Sequence, residues 1–301
     1  MSIWEDAFAS LLDNYEKGWG GLSIEEMLQK DWDLFNLDSI QIRKFLSGVF
    51  NEHDFLEPGV TIVHKIAPET PNYLDVWNYY INHVTRVNRF FPPKDLPHNA
   101  LDPLGELILG NSRDVESKTQ FYRGRITSNS AALESEEMGK PPFEVTTGGR
   151  ANPAGIPHLY LAFEKETCAA ECRVGLNGYV SIATFVSNSG FKTLDLNDVD
   201  SINPFTTEDD LGPILQARTV LNRLRDDIAI PARSHDSQLD YIATQFLCEY
   251  AKNLGLSGVI YPSTLLKNGT NLVLFDDALV DCRINVEAFQ IVRDDFKIDL
   301  A

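Results

Sequence analysis

The chain has 301 residues, 43% hydrophobic and 23% charged, the composition of a folded protein of one large or two modest domains rather than a disordered or fibrous one. Its 44 acidic residues against 26 basic ones give a formal charge of -18, which repels nucleic acid and anionic membrane surfaces. The same field opposes any phosphate-bearing ligand, so a pocket for one must concentrate arginines of its own.

The first residues, MSIWEDAFAS, carry no basic n-region, and no run of 18 apolar residues occurs, which sets a cytoplasmic expectation. Residues 1 to about 90 read as helical. Apolar positions recur at three- and four-residue steps through Trp4, Phe8, Leu11, Leu12 and Tyr15, then Ile40, Phe45, Leu46 and Val49. Ser23 and Glu26 have capping-box spacing, and Thr70 precedes a face of Tyr73, Leu74, Trp77, Tyr80, Ile81 and Val84.

The stretch FPPKDLPHNALDPLGELILGNSRDVES breaks this periodicity with four prolines, apart from a short LGELIL segment. A boundary near residue 118 follows, giving a small all-α domain over 1–118 and a second domain over 119–301. Beyond it come short β-like runs, FYRGRI, HLYLAF, YVSIATFV, FKTLDL, GVIYPS and NLVLF, interleaved with helical stretches at 166–174, about 208–228 and 237–254. This second half is mixed α/β or α+β. Residues 127–147 are polar and acidic, as in a mobile surface loop.

Walker-type, Rossmann, zincin and G-x-S-x-G motifs are absent. Cys168 and Cys172 sit four apart on a helical stretch, but no second pair or nearby histidine completes a metal site, so no metal is expected and helix packing accounts for them. The four cysteines, with Cys248 and Cys282, are too scattered for a disulfide framework. Ser234, His235 and Asp236 are consecutive, which suits an N-cap turn and not a triad. His53, His64, His83, His98 and His158 show no ligand spacing with one another.

The densest signal is GGRANPAGIPHLYLAFEKETCAAECRV, residues 148–174. Turn residues on both sides present Arg150 from a tight loop, which suits a bidentate oxyanion contact. Tyr160 is the one hydroxyl aromatic of an apolar strand, and Glu171 lies on a helix among small neighbours. By spacing alone, a surface ion-pair partner is the favoured reading of Arg150 and a solvated helix carboxylate that of Glu171.

The order of a GRANP loop, an LYLA strand and a T-x-x-x-E helix resembles the RES family, in particular its longer members. Downstream, YIATQFLCEYAKNLGLSGVIYPSTLLKNGTNLVLF resembles the family's second block, with Tyr-x-x-Thr-Gln opening a helix, a G-x-x-Y-x-S strand and an Asn-x-x-x-Phe strand. With FYRGR upstream, the resemblance covers about residues 120–280. It implies an α+β fold, an ADP-ribosyltransferase-like split β-sheet core with flanking helices. It also implies NAD as substrate, an NAD-degrading toxin opposed by an antitoxin or immunity protein, and the family's arginine, glutamate and serine at Arg123, Glu171 and Ser263.

On that basis Arg123 and Arg150 bind the pyrophosphate or the nicotinamide ribose, and Tyr160 orients the nicotinamide ring. Glu171 stabilises the oxocarbenium-like centre, and Ser263 with Asn271 completes the pocket floor. Ala151 stands where many shorter members carry an aromatic, and Val174 where longer ones carry proline. The N-terminal half resembles a helical HEPN-like extension without its Arg/His nuclease motif, and either a dimerisation or antitoxin-docking role or that of a sensor gating the pocket is expected of it. The leading expectation is cleavage of the nicotinamide–ribose bond with water or phosphate as acceptor. Transfer of ADP-ribose to a macromolecule and a catalytically inactive interaction protein stand beside it.

Overall fold

The computed structural model describes residues 3–50, 52–65, 73–197, 199, 205, 211–230, 238–291 and 298–300. In chain order it contains α1 (Ile3–Leu12), β1 (Tyr15–Leu22), α2 (Ile24–Trp32), α3 (Ser39–Val49), β2 (Ile62–His64), α4 (Tyr73–Arg86) and α5 (Asp102–Gly110). There follow β3 (Ser112–Val115), β4 (Gln120–Thr127), β5 (Leu159–Ala162), α6 (Lys165–Cys172), β6 (Tyr179–Ser187), β7 (Phe191–Asp195) and α7 (Leu211–Ala229). Last come α8 (Ile242–Asn253), β8 (Gly258–Pro262), β9 (Thr270–Leu274), β10 (Val280–Ile291) and β11 (Ile298–Leu300). One compact unit takes Met1–Tyr80, Pro93–Gly110 and Asp198–Val220, and the other takes Ile81–Pro92, Asn111–Asn197 and Leu221–Ala301. No helix among the described residues is long and apolar enough to cross a membrane.

The first unit is mainly helical. At the start of α2, Ser23 N and Oγ both donate to the Glu26 carboxylate, at 3.2 and 2.9 Å, as the S-x-x-E spacing predicts. Phe8, Leu11, Leu12 and Leu46 are buried, whereas Trp4 and Ile40 face solvent. The helical reading fails at Tyr15, which opens β1 and stands opposite His64 of β2 in an antiparallel ribbon, so the unit is not all-α. The ribbon depends on glycine, since a Cβ on Gly21 would collide with the Ile62 carbonyl. Tyr15 is nonetheless core: its hydroxyl donates to Asp31 at 2.9 Å and accepts from Trp32 Nε1 at 2.7 Å. Thr70 lies outside the described residues, and so do Ser234, His235 and Asp236.

The second unit is a nine-stranded mixed sheet in the order β11-β10-β6-β4-β5-β9-β8-β7-β3, antiparallel except for β7 beside β8. The six β-like runs of the sequence fall on β4 to β9. β4 pairs along its whole length with β6, from Gln120 opposite Val186 to Thr127 opposite Tyr179. It meets β5 through a single pair, Tyr122 with Ala162. The sheet thus divides at a seam, and this is the form the split core takes.

Under the sheet, Phe121, Leu159, Leu161, Phe185, Leu272 and Leu274 make one apolar cluster. Met138 joins it at 0% exposure, from the segment expected to be a mobile loop. That segment carries short 3-10 turns at Ser135–Met138 and Phe143–Val145, and burying Met138 contributes about 1.5–3 kcal/mol toward holding it. On the other side α6 packs Cys168 and Ala169 against Val180, Ile182 and Phe289.

Candidate active site

Where β4 and β5 part, their residues line a cleft of about 430 Å3. Five of the six residues singled out from the sequence meet there: Arg123, Arg150, Tyr160, Glu171 and Asn271. Ser263 is not on the cleft wall; it stands behind Glu171.

Glu171 is the anchor of this arrangement. It projects from the last turn of α6, and its Oε1 accepts from Ser263 Oγ at 2.7 Å and from Asn271 Nδ2 at 2.8 Å. Ser263 Oγ in turn accepts from the backbone N–H of Leu265 (3.2 Å) and Leu266 (3.3 Å), which leaves its own proton for the carboxylate. Glu171 Oε2 makes no hydrogen bond among the described residues. The carboxylate is therefore fixed on one oxygen and open on the other.

α6 reaches this position because β4 carries Gly124. A Cβ there would stand 2.6 Å from Cys172 Sγ and 3.0 Å from Cys168 Sγ, so glycine lets helix and strand close up. The two thiols are packing groups of this contact. Donation to Cys172, together with burial, holds the Cys168 thiol well above its usual range, so it stays protonated.

Arg123 crosses the seam. Its Nη1 donates to the Tyr160 carbonyl at 3.0 Å, joining strands whose backbone ladder has ended, and its buried Nε has no partner among the described residues. Burial, then the neighbouring Arg125, lowers the guanidinium to about 10, and it stays charged at neutral pH. A charged guanidinium lining a cleft suits an anionic or carbonyl-bearing ligand.

Arg150 arrives from the loop between the 3-10 turns and β5. Its Nη1 donates to the Asp227 carbonyl at 2.7 Å, near the end of α7, and its guanidinium lies 5.1 Å from the centre of the Tyr241 ring. Gly149 keeps the loop tight, since a Cβ there would stand 2.8 Å from Asn152 Oδ1 and 3.2 Å from the Tyr160 hydroxyl. Tyr160 donates to that Asn152 Oδ1 at 2.7 Å, while its ring remains on the cleft wall. Burial pushes the Tyr160 and Tyr261 hydroxyls up, so both stay protonated.

Several contributors were not legible as site residues. Tyr241, Thr244 and Gln245 form the Tyr-x-x-Thr-Gln opening of α8, which the sequence marks only as a block. Thr244 Oγ1 and Gln245 Nε2 reach the carbonyls of Arg150 and Gly149. His158, to which spacing assigns no chemistry, donates from Nδ1 to the Ala151 carbonyl at 2.9 Å. Burial lowers it to about 4, which keeps it neutral. No group of three or more His, Cys, Asp or Glu able to hold a metal occurs among the described residues.

The RES domain model matches residues 125–294, a span that holds Arg150, Tyr160, Glu171, Ser263 and Asn271 and opens just after Arg123. No curated protein matches the chain. Among solved structures the chain is similar to one in the crystal structure of the M. tuberculosis MbcT–MbcA toxin–antitoxin complex. The identity is 20%, over 64% of this chain and 93% of that one, with a TM-score of 0.36. The domain match takes in more than half of the chain, including the Arg150 loop and the Glu171 helix, and the chain belongs to the RES domain family.

Proposed function

We propose that this chain consumes NAD, breaking the nicotinamide–ribose bond as a glycohydrolase or phosphorylase, and that depletion of NAD is its toxic output. The observation that carries this reading is the Glu171 carboxylate, fixed on Oε1 by Ser263 and Asn271 and sharing one cleft with Arg123 and Arg150. Two arginines lining one cleft supply the local positive charge that a chain of net charge -18 needs to hold a pyrophosphate.

In the reaction, the bond between C1′ of the ribose and the nicotinamide nitrogen breaks and its electron pair leaves with neutral nicotinamide. Positive charge then develops at C1′, where the Glu171 carboxylate stabilises it, and the open Oε2 is placed to accept from a ribose hydroxyl. A water oxygen attacking C1′ gives ADP-ribose and a proton; a phosphate oxygen gives ADP-ribose 1-phosphate. Arg123 and Arg150 hold the diphosphate, and the Tyr160 ring lies against the nicotinamide. By analogy with the family's toxins, a cognate antitoxin or immunity protein restrains the enzyme, and the helical unit is its docking or dimerisation surface.

Incubating the purified protein with NAD, with and without phosphate, and weighing the products separates the acceptors. ADP-ribose, ADP-ribose 1-phosphate or a modified macromolecule identifies glycohydrolase, phosphorylase or transferase. The Glu171→Ala and Arg123→Ala proteins are expected to keep their circular dichroism spectrum and stop releasing nicotinamide. An unchanged rate of release from either overturns the assignment.

A further inference from the structure

The loop that carries Arg150 belongs to no sheet, yet four successive carbonyls along it receive side-chain donors. Gln245 Nε2 donates to Gly149 O at 2.7 Å and lies 3.2 Å from Asn152 O. Thr244 Oγ1 donates to Arg150 O at 2.6 Å, and His158 Nδ1 to Ala151 O at 2.9 Å. These donors are buried, Thr244 at 2%, Gln245 at 8% and His158 at 2% exposure. Neither Thr244 nor Gln245 lines the cleft; Gln245 faces a separate hollow behind the loop, beside Gly148 and Pro153.

A glycine-rich loop left to itself samples many backbone conformations, and freezing it carries an entropic cost. Something must hold this one if its arginine is to meet a ligand reproducibly, because a displacement of about 1 Å at a binding group can cost about a hundredfold in rate. The first turn of α8 does so with consecutive side chains, while Tyr241, one turn earlier, offers its ring to the guanidinium itself.

We propose that Thr244 and Gln245 are positioning residues for the NAD pocket: they never touch substrate and act on it only by fixing the loop that aims Arg150. This rests on the NAD reading of the cleft. It assigns the Tyr-x-x-Thr-Gln block to holding a loop on a neighbouring element.

The test is a double-mutant cycle, read as affinity for a carbocyclic, uncleavable NAD analogue by calorimetry and as kcat and KM for NAD. Gln245→Leu and Thr244→Val are each expected to weaken analogue binding about tenfold, and Thr244→Ser, which keeps the hydroxyl, to restore it. In an Arg150→Ala background the same substitutions are expected to add nothing, because the residue they act through is gone. A purely structural role would instead give equal losses in both backgrounds, and that result overturns the inference. If Gln245→Leu does not fold, the Thr244→Val and Thr244→Ser pair carries the cycle alone. Arg150→Ala binding the analogue as tightly as wild type overturns the pocket assignment and this inference together; a normal Arg150→Ala loss with additive clamp losses overturns this inference only.

Discussion

At the scale of single residues, the site turns on what holds one carboxylate. Ser263 and Asn271 both donate to Glu171 Oε1, so removing either leaves the other to keep the group in place. Ser263→Ala and Asn271→Ala are each expected to slow nicotinamide release about tenfold, the rate equivalent of about 1.4 kcal/mol from one lost hydrogen bond. The double variant should lose more than the product of the two, because the carboxylate is then free to rotate; steady-state kinetics on all three proteins checks this. The residues themselves were legible, their jobs only partly. Ser263 reads from sequence as pocket floor, but the turn between β8 and β9 sets its hydroxyl behind Glu171, a placement that depends on strand pairing and leaves no local pattern. Arg150 and Glu171 look by spacing like ordinary surface charges, and only the ordered blocks around them say otherwise.

At the scale of elements, the contact of α6 with β4 decides where Glu171 sits. Gly124→Ala puts a methyl 2.6 Å from Cys172 Sγ and 3.0 Å from Cys168 Sγ, and the helix must lift off the strand to admit it. Overpacking of this kind costs about 1–3 kcal/mol, so a lower melting temperature and slower turnover are expected together. Adding Cys172→Ala removes the nearer sulfur and should recover much of both; no recovery in thermal melts would place the fault elsewhere. The elements were legible where apolar runs are continuous, as in β4 to β9 and α6 to α8. They were illegible where pairing partners are distant. β1 contains Gly18, Gly20 and Gly21 and borrows its order from β2, while β10 interleaves Asp281 and Glu287 with its apolar residues and shows no continuous run.

At the scale of the whole molecule, the clearest expectation concerns acid. His158 is buried against the Arg150 loop as a neutral donor, with Nε2 4.0 Å from Glu249 Oε1, and burial followed by Lys252 lowers it from 6.5 to about 4. The unfolded chain therefore binds a proton at this position between pH 6.5 and about 4 that the folded chain refuses. Stability from this group is fully present above pH 6.5 and is lost as pH falls toward 4, by about 3 kcal/mol in all at 1.36 kcal/mol per unit. The global charge works the other way, since protonating an excess of acidic groups relieves repulsion as pH approaches the isoelectric point near 4.7. The two trends separate in a His158→Asn protein, whose amide can still donate to the Ala151 carbonyl but cannot titrate. Urea unfolding from pH 7.5 to 4.5 should show wild type losing stability relative to the variant, beginning near pH 6.5. Parallel curves for the two proteins would mean that His158 is not held neutral in the fold.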